Sequence, residues 1–388
     1  MNKININGIE TDQILLTPTR GYKDKHYHIV FIPGNPGTIY FYQYFLEYLH
    51  NIIEKQYNNV AITISSIGHA NHHLKSNNED INRNYQKFGM NYQIRHQEMY
   101  IEELILKECA DDQIKEYILI GHSIGCYFIL NILKRNMNIS LHTRRICLLM
   151  PFMFWGNLPL LHRIALRSIV STIPYSINTM KWYITTRFMN LNEYEKKQMI
   201  TGRNSSNNSN NSNNNSVASP ENVHVMATEL ITPRLIDNLF TMGIDEIKTI
   251  PIVENEVLEN IEEYLNINGN FGTNGVKINR NKNRNMNPIN VATNSNSMYV
   301  LYTDDDRWAP VEDIPFLQNT FGLLKLDQSP QCMNEKSYIQ YTTGLTHGFS
   351  MNKNTSEITA YNILSYLSNS GLDMSPISPQ HISLMSKL

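Results

Sequence analysis

Short apolar runs alternate with longer helical patterns along this chain, and this alternation constrains the fold more than any other feature. The runs are apolar on both faces, as strands are when helices cover both sides of a parallel sheet. They lie at residues 26–32, 60–65, 116–120 and 145–150. Helical patterns separate the runs, at residues 38–56, 91–110 and 124–135. This order predicts an α/β fold with a doubly wound, mostly parallel central sheet flanked by helices.

The alternation stops near residue 150 and resumes near residue 298. The later block has predicted strands and a C-terminal helix, at residues 298–303, 336–344 and 356–367. The interval 151–297 contains helical patterns but no good strand. We therefore interpret residues 10–150 and 298–388 as one α/β core. Residues 151–297 are interpreted as a helical cap inserted over the carboxyl edge of the sheet, where open α/β sheets bind ligands.

Two asparagine-rich tracts, residues 202–216 and 266–297, lie within this insertion. Neither tract has enough apolar side chains to offset the conformational entropy that ordering would cost. We predict that both are disordered loops of the cap without a chemical role.

Composition excludes several classes of protein. The chain has 388 residues, 41% of them hydrophobic, which is enough for a sizeable core. Its formal net charge is only -2, so a nucleic-acid partner is not expected. The four cysteines stand far apart, which argues against a disulfide framework or a zinc motif and fits a reducing compartment. The N-terminus has no apolar signal region, so secretion is not expected, and no run of about 20 apolar residues predicts a membrane span.

A serine stands between two glycines in GHSIG, residues 121–125, after a predicted strand and before a predicted helix. On a sharp strand-to-helix turn, such a serine exposes its hydroxyl at the edge of the sheet. Gly121 and Gly125 leave room for the neighbouring strand and helix, and His122 completes the elbow. The helix dipole beside Ser123 favours negative charge. The pattern indicates a nucleophile elbow; the alternative is an ordinary turn in which the serine only caps the helix.

A serine nucleophile needs a general base, and the base needs an orienting acid. On such a fold the three follow along the chain in the order serine, acid, histidine, each after a later strand. His347 follows the last predicted strand and is the candidate base, although a lone loop histidine is more often an ordinary surface residue. The candidate acids after the preceding strand are Asp304, Asp305 and Asp306. We choose Asp306 because such loops commonly have a proline four residues on, where this chain has Pro310.

The oxyanion of an acyl-transfer reaction needs N–H donors. One candidate is the backbone N–H of Ile124, which follows the serine. The other would come from PGNPG, residues 33–37, the loop after the strand at 26–32. We choose the N–H of Asn35, since Pro36 has none. The alternative is that PGNPG is a plain turn, because this composition forms turns in many folds.

Three further histidines, His69, His72 and His73, cluster in GHANHHL. Clustered histidines can bind zinc, but no carboxylate or cysteine stands at ligand spacing. We therefore predict neither a metal nor a cofactor. Cys126, just past the elbow, is interpreted as a buried small apolar residue.

The segment 158–177 has apolar residues along one helical face, while Arg163 and Arg167 fall elsewhere. A basic amphipathic helix of this kind can lie in a lipid interface. Alternatively, the segment is a cap helix whose apolar side covers the active site.

Several of these motifs together resemble the lipid droplet-associated hydrolase family, an α/β-hydrolase family of eukaryotes. The motifs are IPGNPG followed by the aromatic-rich FYQYFLEYL, then ISSIGHA, GHSIG, YTDDDRWAP and HGFS. The resemblance implies the α/β-hydrolase fold and places Ser123, Asp306 and His347 at the positions of the family's catalytic triad. Where many α/β-hydrolases have His-Gly in the oxyanion loop, this chain has Pro33 and Gly34, as this family does. Sterol esters as substrates and action at the lipid droplet surface are also implied.

The hypothesis that follows is a serine hydrolase of lipid carboxylic esters, acting through a Ser-Asp-His triad and an acyl-enzyme. Its partners would be a lipid ester and a droplet or membrane surface, with the endoplasmic reticulum and cytosol as further locations. Two alternatives stay open. One is a non-enzymatic lipid-droplet binding or tethering protein with this fold, and the other is an acyltransferase that uses the same triad.

Overall fold

A nine-stranded sheet forms the centre of the part of the chain that the computed structural model describes. The described residues are 1–19, 25–57, 59–73, 88–110, 116–153, 190–201, 219–230, 232–250, 297–304, 324–326 and 337–370, with isolated residues 164, 168, 183, 186, 187, 306, 309 and 314. The strands are β1 (Asn2–Ile6), β2 (Ile9–Leu16), β3 (Lys25–Ile32), β4 (Val60–Ile67), β5 (Glu116–His122), β6 (Thr143–Leu149), β7 (Ser297–Thr303), β8 (Leu324–Leu326) and β9 (Tyr338–Thr342). Their order across the sheet is β1-β2-β4-β3-β5-β6-β7-β9-β8.

The sheet is mostly parallel. Only the pairs β1–β2 and β2–β4 are antiparallel, and every other described pair of neighbours is parallel. Strands β4 and β7 are buried along their whole length. Such burial explains why the predicted strands read as continuous apolar runs, because helices cover both faces of a parallel sheet. Each predicted run is a strand of this sheet, so the α/β class inferred from the alternation is confirmed.

The antiparallel edge was not predicted from the sequence. Strands β1 and β2 form a hairpin whose turn is Asn7 and Gly8, with φ angles of 49° and 85°. Two consecutive left-handed residues are the mark of the tight hairpin turn that Asn-Gly favours. The sheet therefore begins at Asn2, ahead of the core boundary expected near residue 10.

Helices connect the parallel strands. They are α1 (Gln43–Gln56), entered through a 3-10 turn at Ile39–Tyr42, then α2 (Met90–Ala110), α3 (Ile124–Arg135) and α4 (Met137–His142). From β3 the chain crosses to β4 on one side and then returns past β3 to β5. Because parallel crossovers are right-handed, this reversal puts α1 on one face of the sheet and α2 on the other.

Between β6 and β7 the described residues form helices α5 (Glu193–Thr201), α6 (Pro220–Val225) and α7 (Pro233–Thr249), with a π-helical turn at Met226–Leu230. Helices α6 and α7 each begin with a proline after a capping hydroxyl, from Ser219 and Thr232. The final helix, α8 (Lys353–Asn369), packs beside α1. The asparagine-rich tracts, apart from Ser297, lie outside the described residues, as does the segment 158–177 apart from Ile164 and Ser168.

Within the described ranges, we find no helix with both the length and the apolar character that crossing a lipid bilayer requires.

Candidate active site

Ser123 lies at the tip of a tight turn between β5 and α3. Its φ and ψ are 53° and -122°, a backbone conformation that side-chain-bearing residues seldom adopt. The turn is tied to β6 because the Ser123 N–H donates to the Leu149 carbonyl at 3.0 Å. The Ser123 carbonyl in turn accepts from the N–H groups of Cys126 and Phe152. These bonds hold the strained residue with its side chain at the carboxyl edge of the sheet.

The glycines of GHSIG allow this turn to pack closely. A Cβ at Gly125 would stand 2.4 Å from the carbonyl oxygen of Ile32, and a Cβ at Gly121 would stand 2.9 Å from the Cys126 nitrogen. Both neighbours are backbone atoms and cannot move aside cheaply. The sequence therefore needs glycine at both positions for α3 to approach β3 and β5.

His347 and Asp306 meet Ser123 at this edge. Nε2 of His347 lies 2.8 Å from Oγ of Ser123, and Nδ1 of His347 lies 2.8 Å from Oδ2 of Asp306. The carboxylate can only accept, so the Nδ1 atom carries the hydrogen and the Nε2 lone pair faces the serine. The Asp306 side chain has no exposed surface, and its second oxygen accepts from the Ala309 N–H at 3.0 Å. The three predicted residues are thus in one line of hydrogen bonds.

The neighbouring aspartate has a different position. Oδ1 of Asp304 accepts from the Gly344 N–H at 2.9 Å and from the Thr303 hydroxyl at 3.1 Å. These bonds brace the loop that leads to His347. Asp305 and Pro310 lie outside the described residues.

The PGNPG loop lies directly over the elbow. A Cβ at Gly34 would stand 2.9 Å from Nδ1 of His122 and 3.0 Å from Cβ of Ser123. The backbone N–H groups of Asn35 and Ile124 donate no hydrogen bond to any described residue. Both N–H groups therefore remain candidates for binding an oxyanion.

A series of hydrogen bonds, which was not predicted from the sequence, joins the PGNPG loop to the loop that carries His347. The Gly34 N–H donates to the Tyr42 hydroxyl at 3.2 Å, and that hydroxyl donates to Nδ1 of His122 at 2.8 Å. Nε2–H of His122 then donates to the backbone carbonyl of His347 at 2.9 Å. The second residue of GHSIG therefore supports the candidate base.

The protonation states of His122 and Tyr42 follow from their burial. Burial lowers the pKa of His122 well below its usual value, and the neighbouring His347 adds to that effect. The ring therefore stays neutral, as a residue that donates with one nitrogen and accepts with the other must be. Burial raises the pKa of Tyr42, so its hydroxyl keeps the proton it donates.

The histidines of GHANHHL are buried next to the PGNPG loop. His72 donates from Nδ1 to the Pro36 carbonyl, and the His69 ring packs against Gly37, leaving no room for a Cβ there. Burial keeps the pKa of His69 well below its usual value and lowers that of His72 to about 4. Across the described residues, no group of His, Cys, Asp or Glu side chains is arranged to hold a metal ion.

Cys126 is fully buried, and its thiol donates to the Gly121 carbonyl at 3.2 Å.

Helix α7 reaches the site through a carboxyl group that the sequence did not suggest. Oε1 of Glu246, on α7, accepts from Nδ2 of Asn35 at 3.0 Å. The Glu246 side chain is buried, and this burial raises its pKa to about 7. The contact joins residues 211 positions apart, so no local pattern could have revealed it.

Comparison with known sequences gives the family. The sequence model of the family described as lipid-droplet associated hydrolase matches residues 25–350. A lipid droplet-associated hydrolase of Dictyostelium discoideum is 32% identical over 119 residues, which are 30% of this chain and 35% of that protein. The human lipid droplet-associated hydrolase is 35% identical over 113 residues, 28% of this chain and 32% of that protein. These matched segments span about a third of the length of the curated relatives.

Solved structures give the fold. A haloalkane dehalogenase from Agrobacterium tumefaciens C58 superposes with a TM-score of 0.53 at 13% identity, covering 95% of this chain and 96% of that one. A thermophilic esterase from Thermogutta terrifontis gives 0.50 at 11% identity, covering 96% and 100%. At such identities the likeness concerns the fold alone, and it confirms the expected α/β-hydrolase fold. Because the family's sequence model spans most of the chain, this protein belongs to the lipid droplet-associated hydrolase family.

Proposed function

We propose that this chain is a serine hydrolase that cleaves carboxylic esters of lipids, sterol esters among them, through an acyl-enzyme. One observation carries the proposal: Ser123 Oγ, the His347 ring and the buried Asp306 carboxylate form a continuous line of 2.8 Å contacts. A buried carboxylate beside a histidine that faces a strained serine is the arrangement that acyl-transfer chemistry needs.

In the proposed acylation step, Nε2 of His347 takes the Ser123 proton while Oγ attacks the ester carbonyl. The Asp306 carboxylate keeps the hydrogen on Nδ1 and stabilises the imidazolium that forms. The backbone N–H groups of Asn35 and Ile124 receive the oxyanion. When the tetrahedral intermediate collapses, the C–O bond to the leaving alcohol breaks and His347 returns the proton to that alcohol.

Deacylation repeats these chemical steps with water as the nucleophile. His347 takes a proton from water, the resulting hydroxide attacks the acyl-serine, and the fatty acid leaves as Ser123 regains its proton. A different outcome is chemically open, because an alcohol that replaced water at this step would make the protein an acyltransferase. Analysis of the released products distinguishes free acid from a new ester.

The lipid part of the proposal rests on the family. The relatives are named for lipid droplet association, and we propose the droplet surface as the place of action. The endoplasmic reticulum membrane and the cytosol are further proposed locations, which fractionation of cells that express the protein would test. A binding or tethering protein without turnover is the rival function.

A fluorophosphonate probe tests the proposed nucleophile. Wild-type protein should be labelled, and Ser123→Ala should not. Ser140→Ala is a matched control, because Ser140 is a buried serine on α4 whose Oγ makes no hydrogen bond to a described residue. Labelling that persists in Ser123→Ala would exclude this serine. Wild-type protein that is neither labelled nor able to release acid from an emulsified sterol ester would favour the tethering function.

A further inference from the structure

Helix α7 of the cap is attached to the core by polar side chains. Nη2 of Arg234 donates to the His73 carbonyl at 3.1 Å, and Oδ1 of Asn238 accepts from the Phe88 N–H at 3.2 Å. Oδ2 of Asp245 accepts from the N–H of Met90, the first residue of α2, at 3.1 Å. These contacts fix where α7 lies relative to the strand-to-helix connections of the core.

The contact between Glu246 and Asn35 differs from the other three because it reaches the loop beside Ser123. The side-chain carbonyl of Asn35 is buried and has no hydrogen-bond partner among the described residues, so Glu246 provides the polar anchor of this side chain there. The Asn35 backbone N–H is the proposed oxyanion donor. A rotation of this residue about its backbone would change the direction of that N–H.

We propose that Glu246 is a positioning residue that holds the oxyanion loop from the cap through Asn35. This inference rests on the proposed function, and it makes the cap a part of the catalytic arrangement rather than only a cover. Because oxyanion stabilisation depends on placing donors within a few tenths of an ångström, loosening the loop should reduce kcat with little effect on KM.

The charge state of Glu246 does not decide whether the contact forms. Burial is the main cause that raises its pKa to about 7, the adjacent carboxylate of Asp245 adds to it, and the bond from Asn35 acts against it. Near neutral pH the group is therefore present both as carboxylic acid and as carboxylate. Each form has an oxygen that can accept from Asn35 Nδ2, and so does the amide of glutamine.

The test compares four variants in the hydrolysis of a p-nitrophenyl ester. Glu246→Ala and Asn35→Ala each remove the side-chain hydrogen bond between these two residues but keep the backbone N–H of residue 35. Each should therefore lower kcat about tenfold. Their double variant should lose no more than either single variant. Glu246→Gln should keep kcat within about twofold of the wild type, since glutamine accepts the same bond. KM should stay nearly constant throughout.

Asp245→Asn is the matched control on the same helix. This carboxylate contacts the start of α2 and not the oxyanion loop, so its replacement should leave kcat unchanged. Additive losses from Glu246→Ala and Asn35→Ala, or an unchanged kcat in Glu246→Ala, would overturn the proposal.

Amide hydrogen exchange gives a readout that does not depend on turnover. In Glu246→Ala, exchange should become faster at Gly34 and Gly37, whose N–H groups donate to the Tyr42 hydroxyl and the Gly34 carbonyl. In Asp245→Asn it should not. If the wild type lacks esterase activity but the loop still loosens in Glu246→Ala, the proposed function fails while the attachment stands. Unchanged exchange in the loop contradicts the attachment itself.

Discussion

At the scale of single residues, Asp304 and Asp306 lie two positions apart in the same loop but make different contacts. Asp306 is buried against His347 Nδ1, and Asp304 braces the start of the histidine loop through Gly344. Three neighbouring aspartates were candidates for the acid, and the spacing to Pro310 favoured Asp306. The fold places the Asp306 carboxylate 2.8 Å from His347, 41 residues away along the chain.

Asp306→Asn should lower kcat for ester hydrolysis by about 1,000- to 10,000-fold, because an amide would favour the wrong tautomer of His347. Asp304→Asn should change kcat by less than about tenfold, since its Oδ1 contacts are structural and an amide oxygen can replace them. Steady-state kinetics of the two variants check the expectation. Equal losses would mean that Asp306 is not the orienting acid.

At the scale of elements, the strand–turn–helix unit around Ser123 was the most predictable part of the molecule. Helix α3 begins at Ile124 and ends at Arg135, as its pattern indicated. The N-terminal hairpin was missed, although its signal is present: the pair Asn7-Gly8 lies between alternating apolar and polar residues. The short strand β8 carries too little sequence pattern to be recognised at all.

Gly125→Ala should lower the free energy of unfolding by about 3 kcal/mol or more, because the new methyl would meet the Ile32 carbonyl and force α3 away from β3. The control is Gly243→Ala in α7, where a Cβ meets nothing within 4 Å. That change should be neutral or stabilise the protein by up to about 1 kcal/mol. Urea unfolding followed by circular dichroism measures both. Similar stabilities for the two variants would contradict the packing described for the elbow.

At the scale of the whole molecule, the core buries neutral histidines. Burial lowers the pKa of His72 and of His96 to about 4, and burial takes the pKa values of His69 and His122 well below their usual range. The unfolded chain therefore binds more protons than the folded one below about pH 6.5, the unperturbed value. The stability that these histidines contribute should be fully present above that pH and should be lost as the pH falls towards 4.

Glu246 contributes to the pH dependence of stability in the opposite direction. Its folded pKa of about 7 lies above the ordinary value of 4.5, so the folded state binds the extra proton between these values. The stability linked to this group is present below about pH 4.5 and is lost as the pH rises to about 7. Four histidines outnumber this one carboxyl group, so acid should destabilise the molecule overall.

Between pH 7 and pH 4, His96→Gln should lose about 3 kcal/mol less unfolding free energy than the wild type, because glutamine does not titrate in this range. Its amide can keep the contact to the Thr11 hydroxyl, which His96 makes at 3.0 Å. Thermal unfolding across this pH range measures the effect. Parallel curves for His96→Gln and wild type would show that His96 does not contribute.

The long-range contacts mark the limit of what the sequence could predict. Strand patterns and the order serine, acid, histidine follow from local chemistry and chain topology, and they sufficed to name Ser123 and His347. The support from Tyr42 through His122 and the anchor from Glu246 could not be inferred, because each joins distant segments by a single hydrogen bond. Such bonds leave no periodic trace in the sequence.

The proposed mechanism requires that Ser123 carry the acyl group, which peptide mass spectrometry detects after a p-nitrophenyl ester reaction is quenched with acid and the protein is digested. The peptide containing Ser123 should gain the mass of the acyl group within the first turnover, and Ser123→Ala should give no such adduct. Ester hydrolysis with no acyl group on Ser123, or with the acyl group on another residue, would contradict this mechanism.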